Sequence, residues 1–173
     1  MPRRPNLLIL MADQMRADCL GVVNPAIRTP HLDRLAREGA RCDRAYPATP
    51  VCLPARAALL SGQYGSSTGA THNHTRLRED HPQLLGDVFA RAGYATHFVG
   101  KSHLSSCHDP CSPESFPHIA NHDHFDRWHG PWYGFERADL AIGHTVERHG
   151  CGMHYGAWLR RRGVDLARFF GHH

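Results

Sequence analysis

The chain has 173 residues, which suits one domain or one part of a larger domain. Hydrophobic residues make up 41% of the sequence and charged residues 21%, so a wholly disordered chain is excluded. The formal net charge of +4 is too small to indicate a nucleic-acid-binding protein. No apolar run reaches the roughly 20 residues of a membrane span and no signal peptide is recognisable, so we expect a cytoplasmic protein with free cysteines and no membrane partner.

The first element predicted from the sequence is a buried strand. Residues 6–12 are almost continuously apolar, which is typical of a parallel strand that is covered on both faces. The run ends at Asp13 and Gln14. Because ligands of open α/β sheets bind beyond the carboxyl ends of the strands, these two oxygen-bearing side chains indicate a site.

The following elements are predicted from apolar periodicity and from helix start and stop residues. In chain order they are a helix over residues 30–38 with Thr29 as its N-cap, a short strand over 40–46, a helix over 54–61, a loop over 63–82, a helix over 83–92, a strand over 94–100, a long loop over 105–131 and a weakly helical tail over 155–170. This alternation predicts an α/β fold with a mainly parallel sheet.

Cys52 and Arg56 are the sharpest local feature. Cys52 lies just before the start of a predicted helix, where backbone N–H groups and the helix dipole favour an anion. Arg56 follows four residues later, so a helix places both on one face. A buried loop cysteine before an ordinary helix is the alternative interpretation of these residues.

Lys101 and His103 follow the later predicted strand. In an extended segment their side chains point to the same side. Lys101 is a point charge suited to an anionic group, and His103 can move a proton near neutral pH. If the sheet is parallel, these residues lie at the same edge as Asp13 and Gln14, whose oxygens suit Ca²⁺ or Mg²⁺.

Three sequence blocks together resemble the N-terminal part of a type I sulfatase, a family within the alkaline-phosphatase-like superfamily. They cover residues 5–14, residues 52–62 with the pattern Cys-x-Pro-x-Arg, and residues 100–103 with Gly-Lys-x-His. The resemblance implies an α/β fold with an alkaline-phosphatase-like, mostly parallel sheet flanked by helices. This chain would hold the N-terminal part of it. Residues 1–104 would carry the nucleophile and half of the metal site, and residues 105–173 would continue the same domain.

The resemblance implies that a separate maturation enzyme converts Cys52 to formylglycine. The hydrated aldehyde would attack the sulfur of a small sulfate ester, and its second hydroxyl would then expel the bound sulfate. Asp13, Gln14 and the modified Cys52 would bind a divalent metal that polarises the sulfate, with Ca²⁺ favoured over Mg²⁺ and Mn²⁺.

The remaining site residues are implied in the same way. Arg56 would hold the formylglycine hydrate, and Lys101 would bind sulfate oxygens. His103 would hydrogen-bond the diol and assist its collapse. Asn73 lies in a loop where some family members place an active-site amide.

Two departures from the family pattern affect the expected substrate and maturation. Ala55 replaces the serine of the common maturation motif, and the pair Asp13-Gln14 replaces the Asp-Asp pair of many members. The Asp-Gln version resembles the choline-sulfatase-like and phosphonate monoester hydrolase branches. The later half of family members supplies further metal ligands, a second lysine and the acid for the leaving group, none of which is assigned within residues 1–173.

Three alternatives therefore stay open. One is a phosphonate monoester or phosphodiester hydrolase that uses the same nucleophile and metal. Another is a catalytically inactive truncated product. The third is a zinc-binding module built from Cys107, Cys111, His122 and His124, whose spacing fits no strict zinc pattern.

Overall fold

A computed structural model describes residues 4–142 and 151–170 of the chain. The chain groups into two compact units, Met1–Tyr46 and Pro47–His173. The boundary expected after residue 104 separates the part of one domain that carries the family motifs from the continuation of that domain. It stays a prediction. Residues 143–150 and 171–173 of the expected continuation lie outside the described residues. Within the described ranges, none of the helices has the length and apolar character needed to cross a membrane.

The first unit contains the helix α1, Pro30–Glu38, as the sequence predicts. Thr29 does not cap this helix through its side chain. Its hydroxyl instead donates to Asp33 Oδ1 at 2.7 Å and accepts from the N–H of Gly21 at 2.8 Å. The same carboxylate oxygen accepts from the N–H of Val22 at 3.1 Å, so these side chains bind the preceding loop to the helix.

The two strands predicted in the first unit are wrong. Residues 6–12 and 40–46 have no strand structure. Apolar side chains of the first run are exposed, with Leu8 77% and Leu10 75% accessible. A strand exists only when a partner backbone pairs with it, and the one sheet among the described residues consists of two strands from the second unit.

The second unit contains the remaining elements. They are α2 (Cys52–Ser61), α3 (Gly65–Thr68), α4 (Leu85–Arg91), β1 (His97–Lys101), α5 (Phe116–Ile119), α6 (His122–Phe125), β2 (Arg137–Ala141), α7 (Met153–Arg161) and α8 (Leu166–Phe170). The predicted helices near residues 54–61 and 83–92 and the helical tail are confirmed, and the later strand is confirmed with its start moved to His97. The predicted loop over 105–131 contains two single-turn helices.

The sheet pairs β1 with β2 in parallel, with His97 opposite Arg137 and Lys101 opposite Ala141. The parallel pair with its flanking helices confirms the predicted α/β class. The sequence did not predict β2, in which Ala138 and Leu140 are fully buried between exposed or half-buried neighbours. The link between the two strands carries α5 and α6, and such a long crossover is what a parallel pair requires.

The core of the second unit lies around β2 and the helices that pack on it. Its members are apolar side chains that are almost wholly inaccessible, among them Leu53, Leu77, Leu84, Leu104, Ile119, Phe125, Trp132, Leu140 and Met153. Leu53 belongs to the first turn of α2 and Leu104 to the segment after β1. The core therefore fixes the backbone segments that carry Cys52 and Lys101.

Candidate functional site

Cys52 is the first residue of α2 and is half-buried. The helix begins two residues earlier than predicted, so Cys52 belongs to the turn whose N–H groups lack intrahelical partners. The N-cap residue Val51 gives no side-chain bond to this turn. The N–H of Leu53 instead donates to Asn73 Oδ1 at 3.1 Å, so a residue 20 positions away satisfies the helix start.

Lys101 and Arg56 meet at the same place. Lys101 is the last residue of β1, and its Nζ lies 3.9 Å from Cys52 Sγ. Arg56 is 8% exposed and donates from Nη1 to the main-chain oxygen of Lys101 at 2.5 Å. Because Arg56 lies one helical turn after Cys52, α2 presents both residues to the end of β1, as the four-residue spacing predicts.

Lys101 is the only lysine in the 173-residue sequence, which contains 19 arginines. Arginine offers a planar fork of donors, whereas lysine is a compact ammonium with rotatable donors. Lys101 therefore places a compact positive charge beside Cys52, whereas the other permanently charged side-chain cations of the chain are arginines.

His103 is half-buried, and its backbone has φ 49°, in the left-handed region. The extended segment predicted to carry Lys101 and His103 is therefore interrupted at His103. Both residues nevertheless line one small cavity of about 20 Å³, together with Glu114. A positive φ at a non-glycine residue costs about 1–3 kcal/mol and is concentrated at functional sites.

Glu114 is a buried acid that the sequence analysis missed. It is 5% exposed, and its Oε1 accepts from the N–H of His103 at 2.5 Å. Its Oε2 accepts from the N–H groups of Leu104 at 2.8 Å and Ser105 at 3.0 Å, and from the Ser105 hydroxyl at 3.0 Å. Burial raises the pKa of the Glu114 carboxyl, and these donors oppose the rise. No sequence signal marks this glutamate, which lies in a stretch rich in Ser and Pro.

Asp13 and Gln14 belong to the first unit, and both are exposed there. Gln14 has φ 50°, the second left-handed backbone among the predicted site residues. One carboxylate and one amide oxygen are ligand types that Ca²⁺ and Mg²⁺ accept, although they fill only part of a coordination shell.

The comparisons with known proteins decide the family. The family model described as Sulfatase matches residues 5–138, more than half of the chain. The chain belongs to the sulfatase family. This is a family of hydrolases, and the structure agrees with the alkaline-phosphatase-like α/β fold expected from the sequence.

Curated sulfatases are similar over most of this chain. It is 38% identical over 128 residues to an arylsulfatase of Clostridium perfringens, covering 72% of this chain and 26% of that protein. It is 39% identical over 142 residues to human N-acetylgalactosamine-6-sulfatase, covering 75% of this chain and 26% of that protein. The chain thus spans about a quarter of the length of these relatives.

A solved structure is similar over more of the chain. The phosphonate monoester hydrolase of Agrobacterium radiobacter matches with a TM-score of 0.65 and 30% identity. The match covers 92% of this chain and 29% of that one. This sulfatase-family chain therefore resembles sulfatases in sequence and a phosphonate monoester hydrolase in structure.

Another cluster of this sulfatase-family chain has the composition of a metal site. Among the described residues, His129, Asp139 and His154 offer ligand atoms within 4.8 Å of one another. The Nδ1 of His154 accepts from the N–H of Leu140 at 2.8 Å, and its Nε2 bonds the main-chain oxygen of Trp128 at 2.7 Å. Both ring nitrogens of His154 are thus committed to the backbone, so this residue does not fit a metal ligand.

Asp139, the carboxylate of that cluster, lies between two imidazoles, those of His129 and of His97, which is outside the cluster. The Asp139 carboxylate is hydrogen-bonded to His129 Nδ1 at 2.6 Å and to His97 Nε2 at 2.8 Å. Partial burial is the largest single influence on the pKa of Asp139 and acts to raise it. The hydrogen bonds and charges of its neighbours, His129 and His97 foremost, together outweigh burial, so the pKa of Asp139 is lowered. This network ties β1 to β2 and to the preceding loop.

The proposed zinc module is not assembled in the described part of the chain. The Nε2 of His122 bonds the main-chain oxygen of Cys151 at 2.9 Å, and His124 stacks on Trp128 with 5.4 Å between ring centres. Within the described residues, Cys107 and Cys111 belong to no group of three or more possible ligands. The interpretation of these four residues as a zinc set is wrong.

Proposed function

We propose that this chain carries the nucleophile and the anion-binding lysine of a sulfuric ester hydrolase. The observation that carries the proposal is the 3.9 Å contact between Lys101 Nζ and Cys52 Sγ at the start of α2. It joins the two residues that the family resemblance assigns to attack on sulfur and to sulfate binding. The similarity to curated sulfatases supports the same substrate class.

Cys52, converted to formylglycine by a maturation enzyme, supplies the nucleophilic hydroxyl in this proposal. Asp13 and Gln14 would contribute oxygen ligands to a divalent metal, Ca²⁺ before Mg²⁺ or Mn²⁺, and that metal would polarise the sulfate. The donor types of Asp13 and Gln14 fit such an ion. The cytoplasmic location expected from the sequence stays a prediction.

The other residues act on the anion and on protons. The Lys101 ammonium binds sulfate oxygens beside the nucleophile, and Arg56 fixes the main chain of Lys101 while holding the hydrated side chain. His103 moves the proton that the diol releases as the aldehyde re-forms. The Asn73 amide, anchored through Oδ1 at the helix start, directs its Nδ2 donors to the ester.

Hydrolysis of a phosphonate monoester is the second candidate. It is favoured by the phosphonate monoester hydrolase structure, which matches 92% of this chain. The Asp-Gln pair at residues 13 and 14 supports the same branch. A sulfate monoester and a phosphonate monoester each carry a single negative charge, so Lys101 suits both.

The first test is mass spectrometry of the peptide that contains Cys52, after co-expression with a formylglycine-generating enzyme. We expect the mass change from thiol to aldehyde at Cys52 and an unchanged thiol at the exposed Cys42, which serves as the control. Turnover of an aryl sulfate and of an aryl phosphonate monoester then separates the two candidates. An unmodified Cys52 in that host contradicts the proposed nucleophile.

A second test is independent of turnover and uses the single lysine. An amine-selective acylating reagent modifies only Lys101 and the chain's α-amino group, so the latter is an internal control. We expect inorganic sulfate to slow acylation of Lys101 alone. If sulfate protects both amines equally from acylation, or protects neither, sulfate binding at Lys101 is contradicted. If sulfate protects Lys101 but the chain does not turn over the ester, the chain holds a binding half-site, which supports the alternative of an inactive product.

A further inference from the structure

The segment from Lys101 to Ser105 is held at every residue. Arg56 donates to the oxygen of Lys101, and the indole N–H of Trp132 donates to the Ser102 hydroxyl at 2.7 Å. The oxygen of Leu104 accepts from the N–H of Leu77 at 2.8 Å. The three N–H groups of residues 103–105 are all bound by the Glu114 carboxylate, so this one side chain sets the path of the backbone beyond the strand.

The left-handed backbone at His103 explains why a carboxylate is needed. The turn aims three successive N–H groups at one point, and such a concave group of donors binds an anion. Here the anion belongs to the chain itself. A carboxylate has two acceptor oxygens and about four lone-pair positions, which match the four donors from residues 103–105.

Two neighbouring serines help to hold Glu114 itself in place. Ser112 accepts from the N–H of Glu114 at 3.0 Å through its hydroxyl, and the same hydroxyl is hydrogen-bonded to that of Ser105. All three of these residues are buried. An amide of the same size, as in Glu114→Gln, presents an N–H₂ group to backbone N–H groups and leaves buried donors without an acceptor, which costs about 1–3 kcal/mol.

We infer that Glu114 is the positioning residue for the anion-binding end of β1, holding Lys101 and His103 in place through the backbone of residues 103–105. Glu114 does not touch the substrate in this scheme. It fixes the left-handed turn, and the turn fixes where Lys101 leaves the strand beside Cys52. The inference deepens the proposed function and rests on it for the identity of the anion.

The test compares Glu114→Gln with the wild-type chain and with Glu79→Gln, which makes the same chemical change at an exposed position. Sulfate affinity is measured by protection of Lys101 from acylation, and folding by circular dichroism and thermal unfolding. For Glu114→Gln we expect the sulfate Kd to rise about tenfold with the native spectrum retained. We expect no change for Glu79→Gln. A folded Glu114→Gln variant with the wild-type sulfate Kd overturns the inference.

Ser105→Ala supplies the second variant in case Glu114→Gln does not fold. It removes one of the four donors to the carboxylate and leaves the backbone bonds, so we expect a two- to fivefold rise in the sulfate Kd. An unchanged Kd in this variant overturns the inference. In the matured enzyme, both variants should raise KM for the aryl sulfate more than they lower kcat, a split that general destabilisation does not produce.

Failure of the proposed function gives a different pattern. In that case the wild-type chain shows no protection of Lys101 by sulfate. The inference about Glu114 is then tested by the acylation rate without sulfate, since a displaced strand end exposes the ammonium to the reagent. We expect a several-fold faster reaction of Lys101 in Glu114→Gln with no change at the α-amino group, and equal rates overturn the positioning role.

Discussion

Replacement of Asn73 should separate its structural role from its proposed catalytic one. Its Oδ1 accepts from the N–H of Leu53 and so performs the capping that Val51 cannot give to α2. Loss of a helix N-terminal cap costs about 0.5–2 kcal/mol, typically about 1. Asn73→Ala should therefore lower the free energy of unfolding by about 1 kcal/mol, a roughly fivefold drop in the ratio of folded to unfolded chain.

Asn73→Asp is the matched variant. It keeps an oxygen acceptor for the N–H of Leu53 and adds a negative charge at the helix N-terminus, which is favourable by about 0.3–1 kcal/mol. We expect a stability equal to or above that of the wild type in this variant. It lacks the Nδ2 donors, however, so turnover of the aryl sulfate should fall as in Asn73→Ala.

The measurement is urea unfolding followed by circular dichroism, with Asn6→Ala as a control at an exposed asparagine. Asn73 does not cap α2 if Asn73→Ala unfolds like the wild type, or if Asn73→Asp is as unstable as Asn73→Ala. Full activity in the stable Asn73→Asp variant would leave Asn73 a purely structural residue.

Two further predictions concern pH and close packing. Burial lowers the pKa of His154 below its ordinary 6.5, so the contribution of neutral His154 to stability should be present above pH 6.5 and lost as the pH falls through the lower folded-state pKa. The urea midpoint of unfolding should therefore depend less on pH in His154→Gln than in the wild type. A wild-type midpoint that does not change over this pH range would contradict the assignment. A Cβ on Gly86 would lie 2.5 Å from the main-chain oxygen of Gly134 and 2.6 Å from the nitrogen of Phe135, so Gly86→Ala should lower the unfolding free energy by about 1–3 kcal/mol, whereas Gly39→Ala, whose nearest neighbour is 3.1 Å away, should cost less.

The helices were predictable because their signals are local. Pro30 at the start of α1, and the left-handed Gly62 with φ 68° at the end of α2, mark helix ends by their own backbone preferences. Strands depend on partners that are distant in the sequence. The apolar run over residues 6–12 therefore predicted a strand that is absent, and β2 was missed because Ala138 and Leu140 alone form its buried face.

The candidate site likewise has features that local sequence predicts and features that depend on contacts between distant segments. The spacing of Cys52 and Arg56 on one helix, and the position of Lys101 at a strand end, follow from local sequence. The bond of Asn73 to Leu53 spans 20 residues, and the bonds of Glu114 join a loop to a strand end through a turn at His103. No periodicity or motif predicts such contacts, since they depend on how separate segments pack.

The exposed run over residues 6–12 has a consequence for the behaviour of the isolated chain in solution. Its Leu and Ile side chains form an uncharged, exposed stretch that lacks proline, and such stretches pair readily with copies of themselves on other molecules. We expect concentrated preparations to self-associate into β-rich aggregates. A single charge in the middle of the stretch, as in Leu8→Lys, should delay that aggregation, because like charges would then face one another at every contact between chains.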